Sequence, residues 1–461
     1  MATRSKAHAA LARSKAHAAL AALREDLSGD AFAPADPGYD EARGVFNAAI
    51  DRRPAVIAQC ANAADVVRAV RFARELDLHI AVRGGGHGLT GAGVDGALVV
   101  DLRRMHEVTV DPAGEAVRVE GGATTGDLDR ATQPYGLATT GARSPATGVG
   151  GFVLGGGTGW LDRAFGLAVD NLLGVELVTA DAERVHANPD ENPELFWALH
   201  GGGGNFGVAT ALTLELHELP EFSAVLLPCP PESGPEVVRT FRELVRTGPD
   251  ELGGTVLYLT APPAESGVLC GVLLTYAGGE SALRKLAEPL LALPHEPELV
   301  GALPYADVQC LLEPPSGLRS DWSAECLADL PDELVDRFCA RAAGVPAAQG
   351  SRHAVLPLGG AIAGGPRAYP VPYRDASWMV HPFACWADPA DDEANRAWVR
   401  DACADVRPWS TGDVCLNLIG DEGPERVRAG LGAGNLLRLE KVKRRWDPDN
   451  VFRFGHTVEP V

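Results

Sequence analysis

The sequence contains no Cys-x-x-Cys pair, no apolar run long enough to cross a membrane and no apolar core of a secretory signal near its start. Its nine cysteines are scattered along 461 residues, a pattern that argues against a disulfide scaffold or a structural zinc site. We therefore expect mostly reduced thiols in the core and no metal centre. The missing apolar segments predict a chain without a membrane span, for which the cytoplasm is the default location.

The chain also lacks an excess of positive charge. It has 41 lysine and arginine residues against 62 aspartate and glutamate residues, which gives a formal net charge of −21. Phosphate backbones repel such a chain, so general nucleic-acid binding is disfavoured and solubility is the better explanation of the charge. Apolar residues make up 46% of the sequence, an ordinary globular composition that predicts a sizeable buried core.

Glycine, in contrast, is abundant and clustered. The chain has 53 glycines, with dense clusters at Arg83–Gly88, Gly148–Gly157 and Gly201–Gly207. Glycine lets backbone N–H groups approach a phosphate closely. Flexible surface loops are the alternative interpretation, but each cluster is flanked by strand or helix signals. Three clusters of this kind predict an extended cofactor that carries phosphate.

Two common nucleotide-binding motifs are excluded. The sequence has no Gly-x-x-x-x-Gly-Lys-[Ser/Thr] motif, so there is no P-loop. Gly-x-Gly-x-x-Gly occurs at Gly86–Gly91, Gly91–Gly96 and Gly202–Gly207, but a dinucleotide fingerprint must lie between a strand and a helix. The first two matches lead to another strand, and the third runs directly into the alternating strand Val208–Leu216. All three are therefore poor NAD fingerprints.

Several longer blocks carry a family resemblance. They lie at Ala81–His87, Gly166–Leu173, Glu191–Ala198, Gly201–Val208 and Arg444–Phe452. Together these blocks resemble the berberine bridge enzyme-like group, which belongs to the vanillyl-alcohol-oxidase type of FAD-binding fold, also called PCMH-type. The resemblance covers most of the chain from about residue 45.

The resemblance implies an α+β fold: a PCMH-type, two-lobed FAD-binding domain, and an antiparallel-sheet substrate domain backed by helices. The proline-rich segment Pro220–Pro235 marks the boundary between them. Strand-like stretches of the second domain include Val268–Tyr276 and Trp378–Trp386. The expected segments are an N-terminal helical segment (1–44), the FAD-binding domain (45–220), the substrate-binding domain (221–409) and a C-terminal segment that returns to the FAD domain (410–461).

Two local features near the chain ends receive structural interpretations. The nonapeptide RSKAHAALA occurs in tandem at Arg4–Ala12 and Arg13–Ala21, and its alanine content predicts a peripheral helix. The helix predicted over Asn435–Trp446 is rich in positive charge. We interpret this charge as a solvated face near the helix C-terminus rather than a nucleic-acid patch. The basic residues are Lys441, Lys443, Arg444 and Arg445.

The resemblance implies that FAD is held by the glycine clusters and attached through the imidazole of His87. A nucleophilic imidazole beside an activated flavin supplies the chemistry, and the glycine-rich turn supplies the room. The alternative is a histidine that merely donates to a phosphate. The other residues that we expect to hold the cofactor are Arg83, Gly84, Gly85, Gly86, Gly88, Ser144, Thr147, Gly148, Gly150, Gly151, Gly155, Asp170, Asn171, Gly203, Asn205, Phe206, Gly207 and Val208.

Ser144 departs from the family pattern. Many relatives form a second flavin bond from a cysteine in a Cys-Pro-x-x-Gly stretch, whereas the matching run here is Ser144–Gly148. Serine cannot form that thioether, so we expect one covalent bond, through His87 only. Ser144 or Thr147 could hydrogen-bond the flavin, and a plain turn role for the Ser-Pro pair is an equal alternative.

The position of the family's catalytic tyrosine is also changed. The matching run is Cys415-Leu416-Asn417-Leu418, so a thiol replaces the phenol beside the shared Asn417, which is itself a candidate catalytic residue. A thiol acts as a base only when a positive charge or a dipole lowers its pKa, which makes Cys415 a candidate base but a better packing residue. Further downstream, Gly455 and Thr457 replace asparagines of the family pattern. The other candidate bases are Tyr373, His381 and Glu422, and the absence of a base is the remaining alternative.

The expected function is that of an FAD-dependent oxidase. A small organic substrate, resembling a secondary metabolite, would pass hydride to flavin N5, and O₂ would be the acceptor. Val149 resembles the oxidase type at the position that lines the oxygen-access pocket. The alternative is a flavin-bound protein with a reduced or lost redox role that acts as a cyclase-like or binding scaffold.

Overall fold

A computed structural model describes residues 15–91, 93–260, 267–296 and 299–461. The first copy of the tandem repeat and the start of the second lie outside the described residues. The rest of the second copy begins a helix that runs over residues 15–26. Within the described ranges, no helix is both long enough and apolar enough to cross a membrane. All nine cysteines are free thiols.

The first lobe is a four-stranded sheet with the order β1-β2-β4-β3. Strands β2 and β3 run parallel to β4, and their continuous apolar runs suit strands that are covered on both faces. Strand β1 pairs with β2, so part of the N-terminal segment belongs to this sheet. The elements are α1 (15–26), β1 (Asp30–Phe32), α2 (Tyr39–Arg43), β2 (Val56–Gln59), α3 (Ala63–Glu75), β3 (Ile80–Arg83) and β4 (Leu98–Asp101).

The second lobe is a five-stranded antiparallel sheet with the order β5-β6-β10-β8-β9, accompanied by a small β7–β11 pair. Helix α5 is short and glycine-rich, and it packs beside β10. The elements are β5 (Val108–Asp111), β6 (Ala116–Glu120), α4 (Thr125–Thr132), β7 (Leu137–Ala138), α5 (Val149–Leu154), α6 (Asp162–Phe165), β8 (Leu172–Val178), β9 (Arg184–Ala187), α7 (Pro193–Leu199), β10 (Val208–Glu215) and β11 (His217–Glu218).

An antiparallel sheet with the order β15-β12-β14-β13-β18-β19-β16 forms the third unit, and β17 also pairs with β19. The predicted strands Val268–Tyr276 and Trp378–Trp386 are confirmed as β14 and β19. The elements are β12 (Ser223–Cys229), α8 (Gly234–Thr247), β13 (Leu252–Thr260), β14 (Val268–Tyr276), α9 (Glu280–Leu291), β15 (Leu299–Ala302), α10 (Tyr305–Val308), β16 (Arg319–Trp322), β17 (Glu325–Leu327), α11 (Asp332–Arg341), β18 (Arg352–Pro357), α12 (Ala361–Gly364), β19 (Trp378–Trp386) and α13 (Asp392–Val406).

Helices cover one face of this third sheet. Apolar side chains of α8, α11 and α13 pack against alternate residues of the strands, among them Val256, Val355 and Val380. Because side chains of a strand alternate between the two faces, the intervening residues point to the opposite side. That opposite side faces the cavity described below. The predicted fold class, with an antiparallel sheet backed by helices, is therefore confirmed.

The last helices are α14 (Pro424–Leu431) and α15 (Leu436–Trp446), and α15 packs against α7 of the second lobe. The expectation that all four basic residues of α15 face solvent is wrong for Lys443, which is fully buried. Its ammonium donates to Asp447 at 2.6 Å and to the carbonyls of Asn205 and Phe452, both at 2.8 Å. The chain after α15 folds back and supplies Asp447 and Phe452, and the third glycine cluster supplies the Asn205 carbonyl. The helical pattern alone cannot indicate these acceptors.

Replacing Lys443 by methionine should destabilise the protein by about 3–5 kcal/mol, because it leaves the Asp447 carboxylate buried without its cation. Lys441→Met is the matched control: Lys441 lies on the same helix but is exposed, so its effect should stay within about 0.5 kcal/mol. Urea unfolding of both variants measures the difference. Equal unfolding midpoints for the two variants would contradict a stabilising role of the buried pair.

Candidate active site

A cavity of about 420 Å³ lies where the two lobes meet the third sheet. All three glycine clusters border it, and the uncovered face of the sheet contributes the residues of β13, β18 and β19. The predicted cofactor residues that line it are Arg83, Gly84, Gly85, Gly86, His87, Gly88, Ser144, Thr147, Gly148, Gly150, Gly151, Gly155, Gly203, Asn205 and Gly207. The structure therefore brings most of the predicted set together.

Two glycine loops cross in direct backbone contact at this cavity. A methyl group on Gly85 would lie 2.4 Å from the Gly148 nitrogen, and one on Gly148 would lie 2.2 Å from the Gly85 nitrogen. A methyl group on Gly150 would similarly lie 3.2 Å from the carbonyl oxygen of Gly121. Glycine is required here for close approach rather than for flexibility. The result is a cavity wall made largely of main chain, which suits an extended cofactor with phosphates.

The electrostatics of the cavity differ from those of the whole chain. Although the net charge is −21, none of the described residues that line the cavity is an aspartate or a glutamate. Three arginines border it instead: Arg83, Arg143 and Arg352. A cavity without carboxylates and with glycine-rich backbone fits the pyrophosphate of FAD.

His87 lies at the edge of the first glycine cluster and borders the cavity. Its ring stacks on Phe46, with 4.1 Å between the ring centroids and an angle of 19°. Burial lowers the pKa of His87 to about 4. The imidazole is therefore neutral at physiological pH, and a neutral imidazole has the free electron pair that a nucleophile needs.

Arg83 is buried beneath the first glycine loop. Its guanidinium donates to the carbonyl of Ala42 and lies 3.7 Å from the Asp101 carboxylate. Burial lowers its pKa to about 10. These contacts hold the loop against α2 and β4, so Arg83 supports the shape of the cavity wall.

Asn205 and Asn417 both line the cavity and fasten its walls. Asn205 donates to the carbonyls of Gly202 and His456 at 2.6 and 2.9 Å. It thereby joins the third glycine cluster to the C-terminal segment. Asn417 accepts from the Gly157 N–H at 3.0 Å and donates to the Gly151 carbonyl at 3.2 Å. It fixes the end of α5 beside the cavity.

Four predicted cofactor residues lie away from the cavity lining. Asp170 forms a salt bridge with Arg374 of the third unit and accepts from the Leu167 N–H at 3.0 Å. Asn171 donates to the Leu167 carbonyl at 3.0 Å. Phe206 and Val208 are fully buried in two separate hydrophobic cores. In this structure, their side chains hold the lobes in shape.

Three of the four candidate bases lie outside the cavity lining. Cys415 is fully buried, and burial raises its pKa to about 11, with the Tyr373 hydroxyl opposing that rise. Tyr373 is also buried in the core, and burial raises its pKa well above the usual value. Glu422 lies at the surface, where it accepts from Ser323 at 2.6 Å and from Arg426 at 3.0 Å. Of the described lining residues, none is Cys415, Tyr373 or Glu422.

His381 is the candidate base that borders the cavity. Its Nδ1 lies 2.8 Å from the Ser323 carbonyl. A carbonyl only accepts, so Nδ1 carries the proton and Nε2 of the neutral ring is an acceptor. Burial, followed by the positive charge of Arg352, lowers the pKa of His381 to about 3. The ring is therefore neutral and offers an acceptor nitrogen at physiological pH.

Further functional candidates lie on the third sheet, where the sequence analysis had named only His381. In adjacent strands, Phe383 pairs with Arg352 and His381 pairs with Ala354. All four line the cavity, together with Trp322. The alternation of β18 and β19 indicates that these residues share a face. It does not indicate which of the two faces borders the cavity, because every residue of β19 is buried.

The chain is similar to known flavoproteins in sequence and structure. A family described as FAD binding domain matches residues 54–188, and one described as berberine and berberine like matches residues 422–459. (R)-6-Hydroxynicotine oxidase of Paenarthrobacter nicotinovorans is 30% identical, with 94% of this chain and 97% of that protein covered. Aclacinomycin-N/aclacinomycin-A oxidase of Streptomyces galilaeus is 30% identical over 90% of this chain and 87% of that protein.

A crystal structure of 6-hydroxy-D-nicotine oxidase from Arthrobacter nicotinovorans superposes with a TM-score of 0.86 at 27% identity, covering 95% of this chain and 99% of that one. The chain therefore belongs to the berberine bridge enzyme-like family of FAD-linked oxidoreductases. Within that family it is an FAD-dependent enzyme of the oxidase type that acts on a small organic substrate. The alternative of a scaffold without redox function is not favoured, because the matched relatives are named oxidases.

Replacing Gly85 by alanine should destabilise the protein by roughly 1–3 kcal/mol, because the new methyl group meets rigid backbone rather than a movable side chain. Gly151→Ala is the matched control: this glycine also lines the cavity, but an added Cβ there has nothing within 4 Å. Helix propensity should leave that variant as stable as the wild type or slightly more stable. Thermal unfolding separates the two, and an unchanged midpoint for Gly85→Ala would refute the crossing as a packing constraint.

Proposed function

We propose that this enzyme is an oxidase that carries FAD covalently through His87 alone and uses His381 to receive a proton from its substrate. One observation carries the proposal: the cavity has a glycine-rich wall with His87 and a sheet wall with His381. The substrate would be a small secondary metabolite that lies between these walls. O₂ is the proposed electron acceptor.

Attachment through His87 is supported by its surroundings. Stacking on Phe46 orients the imidazole, and its lowered pKa keeps the ring in the nucleophilic, neutral form. Ser144 occupies the place of the family's second attachment residue and also lines the cavity. Its hydroxyl donates to Glu313 at 3.3 Å. A serine cannot form a thioether, so a single covalent bond is proposed.

When bound, FAD would supply the two-electron oxidation and the reaction with O₂. The residues of this chain would bind the substrate, orient it and remove a proton from it. Nε2 of His381 would accept a hydroxyl or amine proton from the substrate, while Ser323 holds Nδ1 in place. Trp322 and Phe383 stack with 5.2 Å between ring centroids and would pack against the substrate. These aromatic side chains would also exclude water from the reacting atoms.

His87→Ala should abolish covalent attachment. The wild-type protein is expected to be yellow, with colour that stays in the pellet after acid precipitation and with a mass increased by one FAD. The variant should release its colour or lack it. His186→Ala, a half-buried histidine outside the cavity lining, should behave like the wild type. Colour that leaves the wild-type pellet would reject the covalent bond and leave the FAD-binding fold intact.

His381→Asn should lower the rate of flavin reduction by about 10²–10⁴-fold, the usual contribution of a positioned acid or base. Anaerobic bleaching of the flavin is the measurement, beginning with 6-hydroxynicotine and aclacinomycins as donors. Glu422→Gln and Tyr373→Phe test the competing candidates and should change that rate only a few-fold. A large loss of the reduction rate in either of these variants, with His381→Asn unaffected, would assign the role of proton acceptor to that residue instead of His381. A flavin-loaded enzyme that no donor bleaches would favour the scaffold alternative.

A further inference from the structure

Arg352 stands on the sheet wall of the cavity, away from the glycine clusters. It begins β18, and its backbone pairs with Phe383 of β19. The guanidinium lies over the Phe383 ring, 4.5 Å from its centroid, and one of its nitrogens donates to the Leu312 carbonyl at 2.9 Å. A guanidinium has five N–H donors. The Leu312 carbonyl is the acceptor found among the described residues, so further donors of this cavity-lining side chain are left for a ligand.

Arg352 has no acidic partner in the described part of the chain. The other arginine on this side, Arg143, lies 3.1 Å from the Asp162 carboxylate. The groups that act electrostatically on Arg352 are Cys385 and Arg143, and neither is a carboxylate. Burial lowers the pKa of Arg352 to about 10, so the side chain stays charged at neutral pH. A partly buried charge without a counter-ion is costly, and an anionic ligand removes that cost.

The neighbours of Arg352 restrict the shape of such a ligand. Trp322 and Phe383 form a stacked pair with an angle of 16° between their rings, and both line the cavity. Ala354, two residues along β18, has a small side chain on the same face. It pairs with His381 on the next strand. A flat ligand anchored at Arg352 would therefore extend across Ala354 toward Nε2 of His381.

We propose that the substrate is a flat, largely apolar monocarboxylate whose carboxylate pairs with the guanidinium of Arg352. The planar fork of arginine matches the two oxygens of a carboxylate. One cation without a partner fits one negative charge. This inference rests on the proposed function, since it assigns the substrate class of the same cavity. It concerns Arg352 as a specificity-determining residue, not as a group that takes part in the oxidation.

Binding of acids and their neutral amides tests the proposal on the purified full-length protein. Benzoate, cinnamate and indole-3-acetate are each compared with the corresponding primary amide, by calorimetry and by tryptophan fluorescence. At least one acid is expected to bind the wild type at least 10-fold more tightly than its amide. Arg352→Gln should reduce that ratio to about one. Arg396→Gln removes an equal charge from helix α13, where the Arg396 side chain is 40% exposed, and should leave the ratio unchanged.

Three results would overturn the proposal: equal binding of every acid and its amide, a preference that survives in Arg352→Gln, or tighter binding of phenyl phosphate than of every carboxylate. If Arg352→Gln does not fold, Arg352→Lys replaces it and should reduce the preference, since it loses the planar fork; an unreduced preference again overturns the proposal. Neither readout requires flavin. A colourless protein that still prefers acids contradicts the proposed oxidase alone, and a flavin-loaded protein without the preference contradicts this inference alone.

Discussion

The backbone contact between Gly85 and Gly148 is the constraint on which the site depends. It brings a loop of the first lobe against a loop of the second, at distances that leave no room for a side chain on either residue. His87 follows two residues after one side of the crossing, and helix α5 begins directly after the other. The position of the imidazole and the shape of the glycine-rich wall are therefore set by one contact between main chains.

A second constraint is that carboxylates are kept out of the cavity wall although the chain as a whole is acidic. The chain carries a net charge of −21, yet buried carboxylates near the site are used as partners for structural cations. Asp101 lies beside Arg83, Asp162 beside Arg143, and Asp170 beside Arg374. Each pair fastens a loop or joins two units, and no acid among the described residues borders the cavity. An anionic cofactor therefore meets no repelling carboxylate in the wall, and Arg352 remains available for a further anion.

The sequence predicts the parts of this site that follow from local chemistry. Glycine clusters indicate close backbone approach wherever they occur, so the cavity wall and His87 could be anticipated. Asp170 and Asn171 show where such prediction ends. The family motif identifies both residues, but it does not indicate that their side chains bind to other residues of the chain rather than to the cofactor. Lys443 shows another: its burial depends on acceptors from Asn205 and Phe452, which only the folded chain brings together. The helical period of α15 predicts which of its sides is exposed, but it does not predict the contacts of a single residue such as Lys443.

Under the proposed function, His381 on the sheet wall takes the role of the tyrosine that the family has at the position of Cys415. Cys415 and Tyr373 lie together in the core, where burial raises the pKa of both groups, so neither is suited to accept a proton there. His381 comes from strand β19, and the Ser323 carbonyl holds its proton on Nδ1. Arg352 opposes protonation of His381, and no carboxylate among the described residues acts on Arg352 itself. An anion bound to Arg352 would offset that charge and raise the basicity of Nε2, so substrate binding itself would prepare the proton acceptor.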